Sequence, residues 1–397
     1  MPSRRRFLQA GSAALLSLTG LRALTQPGSP AVAHARDADV RDKLPDGSAA
    51  KGMITPDCQQ AIDAGLAFLA QNQHPDGSFG TGGYQGNVAI TSLGALAMMS
   101  GGHQPGRGKY GKVVRDALEY VLAQEKNNPP GYLTTDHGQV GRQGGHGPMY
   151  GHGFGTLFLA EVYGMVHNKE QRERLHDTLK RAVELIIKFQ RRNGGGWRYK
   201  PGDSDADISV TICQIMALRA ARNAGFAVPK ETADKCVEYV KRCQNLGPVY
   251  GDQRGSFRYM DTPMQGPNPI AFARTAAGVV ALYSAGVYKG VEVEEGLKYL
   301  LRWKRGQKDG NRAYNMPFRG PDIHYFYGHY YAVQAMWTAG GAYWTEWFPF
   351  VREELLTHSQ RRAADGSWHD NICSHYATAM ACIVLQVPNN YLPILQK

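Results

Sequence analysis

Leu185-Ile186-Ile187-Lys188-Phe189-Gln190 is followed, after a short polar stretch, by Gly195-Gly196-Trp197. An amphipathic run ends in Gln, and a tight turn then delivers an aromatic ring. The phrase recurs along the chain. Upstream it reads Leu66-Ala67-Phe68-Leu69-Ala70-Gln71 to Gly77-Ser78-Phe79, and Leu118-Glu119-Tyr120-Val121-Leu122-Ala123-Gln124 to Gly131-Tyr132. Downstream, Val237-Glu238-Tyr239-Val240 leads through Gln244 to Gly255-Ser256-Phe257, and Leu355-Leu356 through Gln360 to Gly366-Ser367-Trp368. A weaker copy joins Leu297-Lys298-Tyr299-Leu300-Leu301 to Ala313-Tyr314. The six aromatics lie 53, 65, 60, 57 and 54 residues apart, a regular spacing that marks a repeat architecture.

Each aromatic is followed by a second apolar run richer in Ala and Gly: 89–99, 154–163, 210–221, 275–283, 331–338 and 378–385. These runs are apolar nearly all round and belong inside, whereas the first helices carry Lys, Arg and Glu on one face and belong outside. Six outer–inner pairs predict an all-α (α/α)6 toroid over residues 55–397. Closure into a ring explains why the count stops at six, since an open array would need capping repeats. The 47 glycines among 397 residues, against a usual ~7%, then fall largely in the recurring turns.

The N-terminal region reads as a processing signal. Ser3-Arg4-Arg5-Arg6-Phe7-Leu8 precedes an apolar stretch from Ala10 to Leu24 and resembles a bacterial twin-arginine export signal, with A-x-A cleavage sites at 31–33 and 33–35. The expected organisation is a signal over 1–35, a linker over 36–54 and one toroid, in a protein destined for the periplasm or the exterior. Removing Arg4, Arg5, Arg6 and Arg22, with no acid lost, takes the formal charge from +11 to +7. No nucleic-acid motif and no block of basic residues stands in the mature part, so the expected partners are an apolar small molecule or a glycan, with at most peripheral membrane contact. Of the six cysteines, Cys236 and Cys243 are seven apart on one helix, about 10 Å and too far to bridge. Most of the six read as small core residues.

Gln followed by Gly-x-Trp/Phe after a helix resembles the QW motif of squalene and other terpene cyclases. The β subunits of protein prenyltransferases share the same ring of helix pairs, and the resemblance covers residues 55–390. Aligned on their Ala-Leu-type pair, the inner helices place Thr91, His152, Thr211, Thr275, His329 and Thr378 in one position near the helix start. Capping suits the threonines. The two histidines, each in a Tyr-Gly-His phrase, suit either capping or a pair facing across the ring, and are candidate catalytic residues with Asp205 and Asp207. Asp205-Ala206-Asp207 matches the first three residues of the D-x-D-D segment that supplies the general acid in class II terpene cyclases, with Ile208 in place of the fourth. Alkene protonation needs a carboxylic acid kept neutral by burial or by a neighbouring carboxylate. The competing reading is a pair of acids at a helix N-terminus. Trp197, Tyr199, Tyr327, Tyr330 and Tyr331 are candidate ligand-binding aromatics, whose rings could stabilise a carbocation or stack on a sugar.

The prenyltransferase side of the resemblance implies a zinc site. Asp322-Ile323-His324 matches the family's Asp-x-Cys with His in place of Cys, and His375 lies where the family's third ligand would be. Asp322, His324 and His375 form a workable zinc set, although the missing Cys argues against activation of a thiolate. The Gly- and His-rich loop from Asp136 to Gly147 reads as either a lid at the ring mouth or a plain surface loop. Three functions fit these residues: a terpene-cyclase-type enzyme acting on an apolar or isoprenoid ligand, an exported (α/α)6 enzyme acting on glycan or peptide, and a non-catalytic binding module.

Overall fold

The computed structural model describes residues 48–135, 147–191, 194–262, 271–308, 324–357 and 362–396. The segment proposed as an export signal, the mouth loop 136–146, Tyr314, Asp322 and Gln360 lie outside the described residues. The compact unit that holds the repeats runs Pro45–Lys397.

The described residues form twelve α-helices and no strand, only isolated bridges. The outer helices are α1 (Pro56–Gln71), α3 (Gly111–Ala123), α5 (Lys169–Phe189), α7 (Lys230–Arg242), α9 (Val291–Lys308) and α11 (Gly341–Thr357). The inner ones are α2 (Val88–Ser100), α4 (Pro148–Val162), α6 (Ile208–Asn223), α8 (Ala271–Ser284), α10 (Tyr325–Ala339) and α12 (Ser374–Gln386). Each inner helix packs on the next, and α12 packs on α2, so the inner layer closes. The outer layer closes with it, because α1 packs on both α12 and α11. The chain is an α/α toroid, as the six-fold periodicity predicts.

The two layers differ because their sequences do. On α5, Leu175, Leu179, Ala182, Val183 and Ile186 are buried at helical spacing while Lys, Arg and Glu face out. On α2 every residue except Ala89 is buried. The inner helices α4 and α10 each begin six residues earlier than the apolar pattern alone suggests. Their first turns are the Tyr- and Gly-rich phrases 148–153 and 325–330, which weaken the Ala-rich signal but are buried all the same.

The recurring turn welds the layers together. Gln190 Nε2 donates to Gly195 O at 2.8 Å within its own turn and to Thr232 O at 2.9 Å in the next outer helix. Gln244 does the same with Gly255 O and Glu292 O. In the first repeat the bridging residue is Gln73, to Gly77 O and Val113 O, and not Gln71, which is the last residue of α1. The second repeat departs further. Gln124 bonds back to Tyr120 O, and Glu125 makes the link instead, accepting from Thr178 and Arg181 of α5. The turn glycine is forced by contact as well as by conformation. At Gly195, with φ +81°, a Cβ would lie 1.9 Å from Lys235 O, and at Gly255, with φ +90°, 2.1 Å from Glu295 O. Gly366 presses in the same way on Ala64 of α1, which joins the sixth repeat to the first.

The shared inner-helix position completes the weld. Thr91, Thr211, Thr275 and Thr378 do not cap their helices. Their Oγ1 atoms accept the backbone N–H of Phe79, Trp197, Phe257 and Trp368 at 3.0, 3.1, 3.1 and 3.0 Å. In the second repeat His152 Nδ1 accepts from Leu133 N at 3.3 Å. Leu133, not Tyr132, therefore fills the aromatic slot: the slot lies two residues after the glycine, and Tyr132 is one residue short of it. Capping falls to other residues where a side chain performs it, such as Thr55, Asn87, Asn168 and Asp207.

The C-terminal tail closes one end of the ring. Val387–Asn389 and Pro393–Leu395 form single turns across the C-terminal ends of the inner helices. Glu161 of α4 accepts from Ile394 N at 3.1 Å, Arg219 of α6 donates to Gln396 O at 3.0 Å, and Trp337 of α10 donates to Leu395 O at 2.9 Å. All six cysteines are free thiols and buried. No described helix is long and apolar enough to cross a membrane.

Thr211→Val keeps the shape of the side chain and removes the acceptor of the buried Trp197 N–H. It is expected to lower unfolding stability by about 1–3 kcal/mol in urea titration; an unchanged midpoint would contradict the weld. Glu161 gives a pH signature. Burial pushes its carboxyl from the ordinary 4.5 up to about 8. The folded protein keeps this proton where the unfolded chain has lost it, so the stabilisation is full below the ordinary value and drains away as pH rises toward 8. Glu161→Gln should flatten the fall in melting temperature between about pH 5 and about pH 8. A slope equal to that of the parent protein would remove Glu161 as its cause.

Candidate functional site: the ring cavity

Two residues along a helix is about 200° of rotation. With the shared Thr/His position turned toward the turns of the outer layer, the residues two before it must face the axis. They do. Ala89, Tyr150, Ser209, Ala273, Tyr327 and Tyr376, one from each inner helix, all line a cavity of about 450 Å³ at the N-terminal ends of those helices. One turn deeper, Leu93, Phe154 and Met380 extend the lining. The loops that lead into the helices add Tyr84, Tyr199, Tyr259, His324 and Asp370, among others. Tyr199, Tyr259 and Asp370 are equivalent, each two residues past its turn aromatic. The Tyr199 and Tyr259 carbonyls accept from Met149 N and Ile208 N at the starts of the preceding inner helices.

The same rotation takes His152 and His329 out of the cavity. His152 is fully buried between the layers, and its acceptor role requires the neutral ring with the proton on Nε2. Burial pulls its pKa down to about 4. His329 is buried in an aromatic box of Phe272, Trp303, Tyr325 and Trp347, with ring centroids 5.2, 5.9, 4.5 and 6.4 Å away. The two histidines do not face each other across the ring.

Asp207 is the N-cap of α6 and fully buried. Its Oδ1 accepts from Ser209 N and Val210 N, both at 2.9 Å, and from the Ser209 hydroxyl; its Oδ2 takes Arg198 at 3.2 Å. Burial raises its pKa above the ordinary carboxylate value, while these donors and the Arg198 guanidinium pull against the rise. Asp205 is not stacked on Asp207 as a coupled acid. It is 44% exposed in its side chain and pairs with the same Arg198 at 3.4 Å. Arg198 thus stands between the two carboxylates. Asp207 reaches the cavity only through Ser209, whose hydroxyl also meets Tyr150 OH at 2.7 Å.

The aromatic candidates divide. Tyr199 and Tyr327 line the cavity. Trp197 is the buried turn ring, its indole N–H held by Ile186 O at 2.8 Å. Tyr330 packs edge-on to Phe154, and Tyr331 meets the Cys213 thiol at 3.5 Å, both within the buried wall. Of the zinc candidates, His324 sits at the cavity mouth in a left-handed backbone conformation, φ 69°. His375 lies between α1 and α12 beside Phe68 and Phe79, and its Nε2 donates to Asn72 O at 3.0 Å. Among the described residues no three His, Cys, Asp or Glu side chains gather where they could hold a metal. Of the set, His324 lines the cavity, His375 lies between the layers, and Asp322 lies outside the described residues.

Sequence reasoning missed Tyr259 and Arg274. Tyr259 was signalled by its register with Tyr199, and Arg274 by its place directly before the shared Thr275. Arg274 is the only Lys or Arg in the described lining.

A family model described as the squalene-hopene cyclase C-terminal domain matches residues 158–343, a little under half of the chain. No curated protein matches in sequence. The type II terpene cyclase MstE from Scytonema, solved with geranylgeranyl dihydroxybenzoate as substrate, has 12% identity and a TM-score of 0.53 over 85% of this chain and 98% of its own. The apo form of MstE gives 13% and 0.50, over 85% and 99%. A protein from Actinoplanes gives 13% and 0.50, over 84% and 99%. The fold is a toroid like that of these terpene cyclases. Residues 158–343 are similar to the squalene-hopene cyclase C-terminal domain, and the chain shares the toroid fold of the terpene cyclase MstE.

Proposed function

We propose that the ring binds an isoprenoid chain in its central cavity. The observation that carries this reading is the lining itself: all six inner helices contribute to one space, and most of the contributed side chains are aliphatic or aromatic. Its volume of about 450 Å³ lies within the usual ~300–1,000 Å³ of small-molecule pockets. The electron-rich faces of Tyr150, Tyr199, Tyr327 and Tyr376 suit an alkene or a cation derived from one. The terpene cyclase MstE, which shares the ring, takes a geranylgeranyl substrate. In this reading Asp205, Asp207 and Arg198 position α6 and its leading loop, because the Asp207 oxygens are already committed to four donors.

Ala89 is the small residue through which α2 opens onto the cavity. Ala89→Trp is expected to fill that space and to abolish binding of farnesol, followed by quenching of intrinsic fluorescence, without loss of the helical circular dichroism. Asp207→Asn keeps the Oδ1 acceptor of the α6 cap and should bind as the parent protein does. Farnesol binding that survives Ala89→Trp would contradict the reading.

The reading includes export through residues 1–35, supported by the Arg4-Arg5 pair ahead of the apolar stretch. Replacing both with Lys should leave the protein in the cytoplasmic fraction of a twin-arginine-competent bacterium. Unchanged fractionation would reject that route.

A further inference from the structure

Tyr150, Ser209 and Tyr327, three of the six axial residues of the cavity wall, carry hydroxyls that converge on the start of α6. The Ser209 Oγ lies 2.7 Å from Tyr150 OH of α4. The Ser209 carbonyl oxygen accepts from Tyr327 OH of α10 at 3.3 Å. The second bond crosses the ring, because α8 stands between α6 and α10 in the inner layer.

The direction of the first bond follows from what lies behind it. The Ser209 hydroxyl also meets Asp207 Oδ1. That carboxyl takes two backbone N–H groups on Oδ1 and the Arg198 guanidinium on Oδ2, so both its oxygens are acceptors and neither carries a proton. A hydroxyl owns one proton, and Ser209 gives its own to Asp207. Tyr150 must then donate to Ser209 Oγ. Tyr327 must donate to the Ser209 carbonyl, which has no proton to give. Both phenolic protons point at α6. What Tyr150 and Tyr327 keep for the cavity they line is oxygen lone pairs.

A ligand group set against these oxygens has to bring its own proton. An aldehyde or ether oxygen would place lone pair against lone pair, and a hydrocarbon end would leave both phenolic oxygens without a donor in an enclosed space. No cation is called for, because the Asp207 charge is already offset by Arg198. We infer that Tyr150 and Tyr327, oriented by Ser209, accept a hydroxyl proton from the bound chain, so that the ligand is an isoprenoid alcohol and not an aldehyde, ether or hydrocarbon of the same length. This rests on the ring being an isoprenoid site and adds the polar group of its ligand. Ser209 is a positioning residue: it fixes which way the Tyr150 proton points.

The experiment titrates the full-length protein with farnesol, farnesal, farnesyl methyl ether and farnesene, followed by fluorescence quenching and calorimetry. Farnesal matches farnesol in length and bulk and lacks the O–H. Farnesol should bind about three- to tenfold more tightly than each of the other three, the worth of one neutral hydrogen bond. Tyr150→Phe should bring the farnesol-to-farnesal ratio to within about twofold of unity. Ser209→Ala separates direction from contact. With Oγ gone, the Tyr150 proton turns to the cavity, Tyr150 becomes a donor, and farnesal should gain on farnesol by about threefold or more. Thermal melts of each variant separate these effects from misfolding. A parent protein that binds farnesol and farnesal equally, or a Ser209→Ala variant that melts normally and weakens both alike, would overturn the hydroxyl reading and leave the isoprenoid site standing. Failure of every probe to bind would remove both.

Discussion

One buried hydrogen bond recurs around the ring, and the rest of the structure follows from it. In each of five described repeats a backbone N–H at the end of the inter-helix turn is taken by a side chain on the inner helix, four times by Thr and once by His152. A buried N–H left unpaired is expensive, so this position on the inner helix must point outward to the turn. That fixes the rotation of the inner helix. Once the rotation is fixed, the residues two before the shared position face the axis, and six such residues make the cavity wall. The turn glycine and its bridging Gln or Glu then set the spacing to the next outer helix. A single constraint thus orients one layer, spaces the other and defines the cavity.

The ring and its six-fold count were readable in the sequence because they rest on spacing, and spacing survives substitution. The outer-versus-inner assignment was equally plain, since it rests on whether charge occupies one face of a helix. What the sequence concealed was direction. His152 and His329 stood out as departures from Thr, and a departure reads as function; only the packing shows that His152 does the same work as Thr, with an imidazole nitrogen in place of a hydroxyl. Leu133 was hidden for a related reason. Tyr132 satisfied the aromatic pattern one residue early, and a pattern of residue types cannot distinguish a slot from its neighbour. Asp205 and Asp207 resembled an acid motif, yet Arg198, distant by only seven and nine residues, takes both. Tyr259 and Arg274 carry only a positional signal, the register of Tyr259 with Tyr199 and the place of Arg274 directly before Thr275, and the packing shows that both line the cavity.

The two ends of the ring are chemically different. All six inner helices run the same way, so their N-terminal ends gather at the cavity and their C-terminal ends gather where the tail closes the ring. At the tail end Glu161, Arg219 and Trp337 bind backbone groups of residues 394–396. The cavity end sets the hydroxyls of Tyr150, Ser209, Tyr327 and Tyr376 among aliphatic and aromatic carbon. The shared toroid accounts for the frame, and it leaves the chemistry to these few lining residues.

The most direct measurement of the central claim is a crystal structure of the full protein soaked with farnesol. The account predicts continuous density inside the ring, with the chain against Ile90, Leu93 and Phe154. Density for the ligand only on the outer surface, with the ring cavity empty, would contradict it.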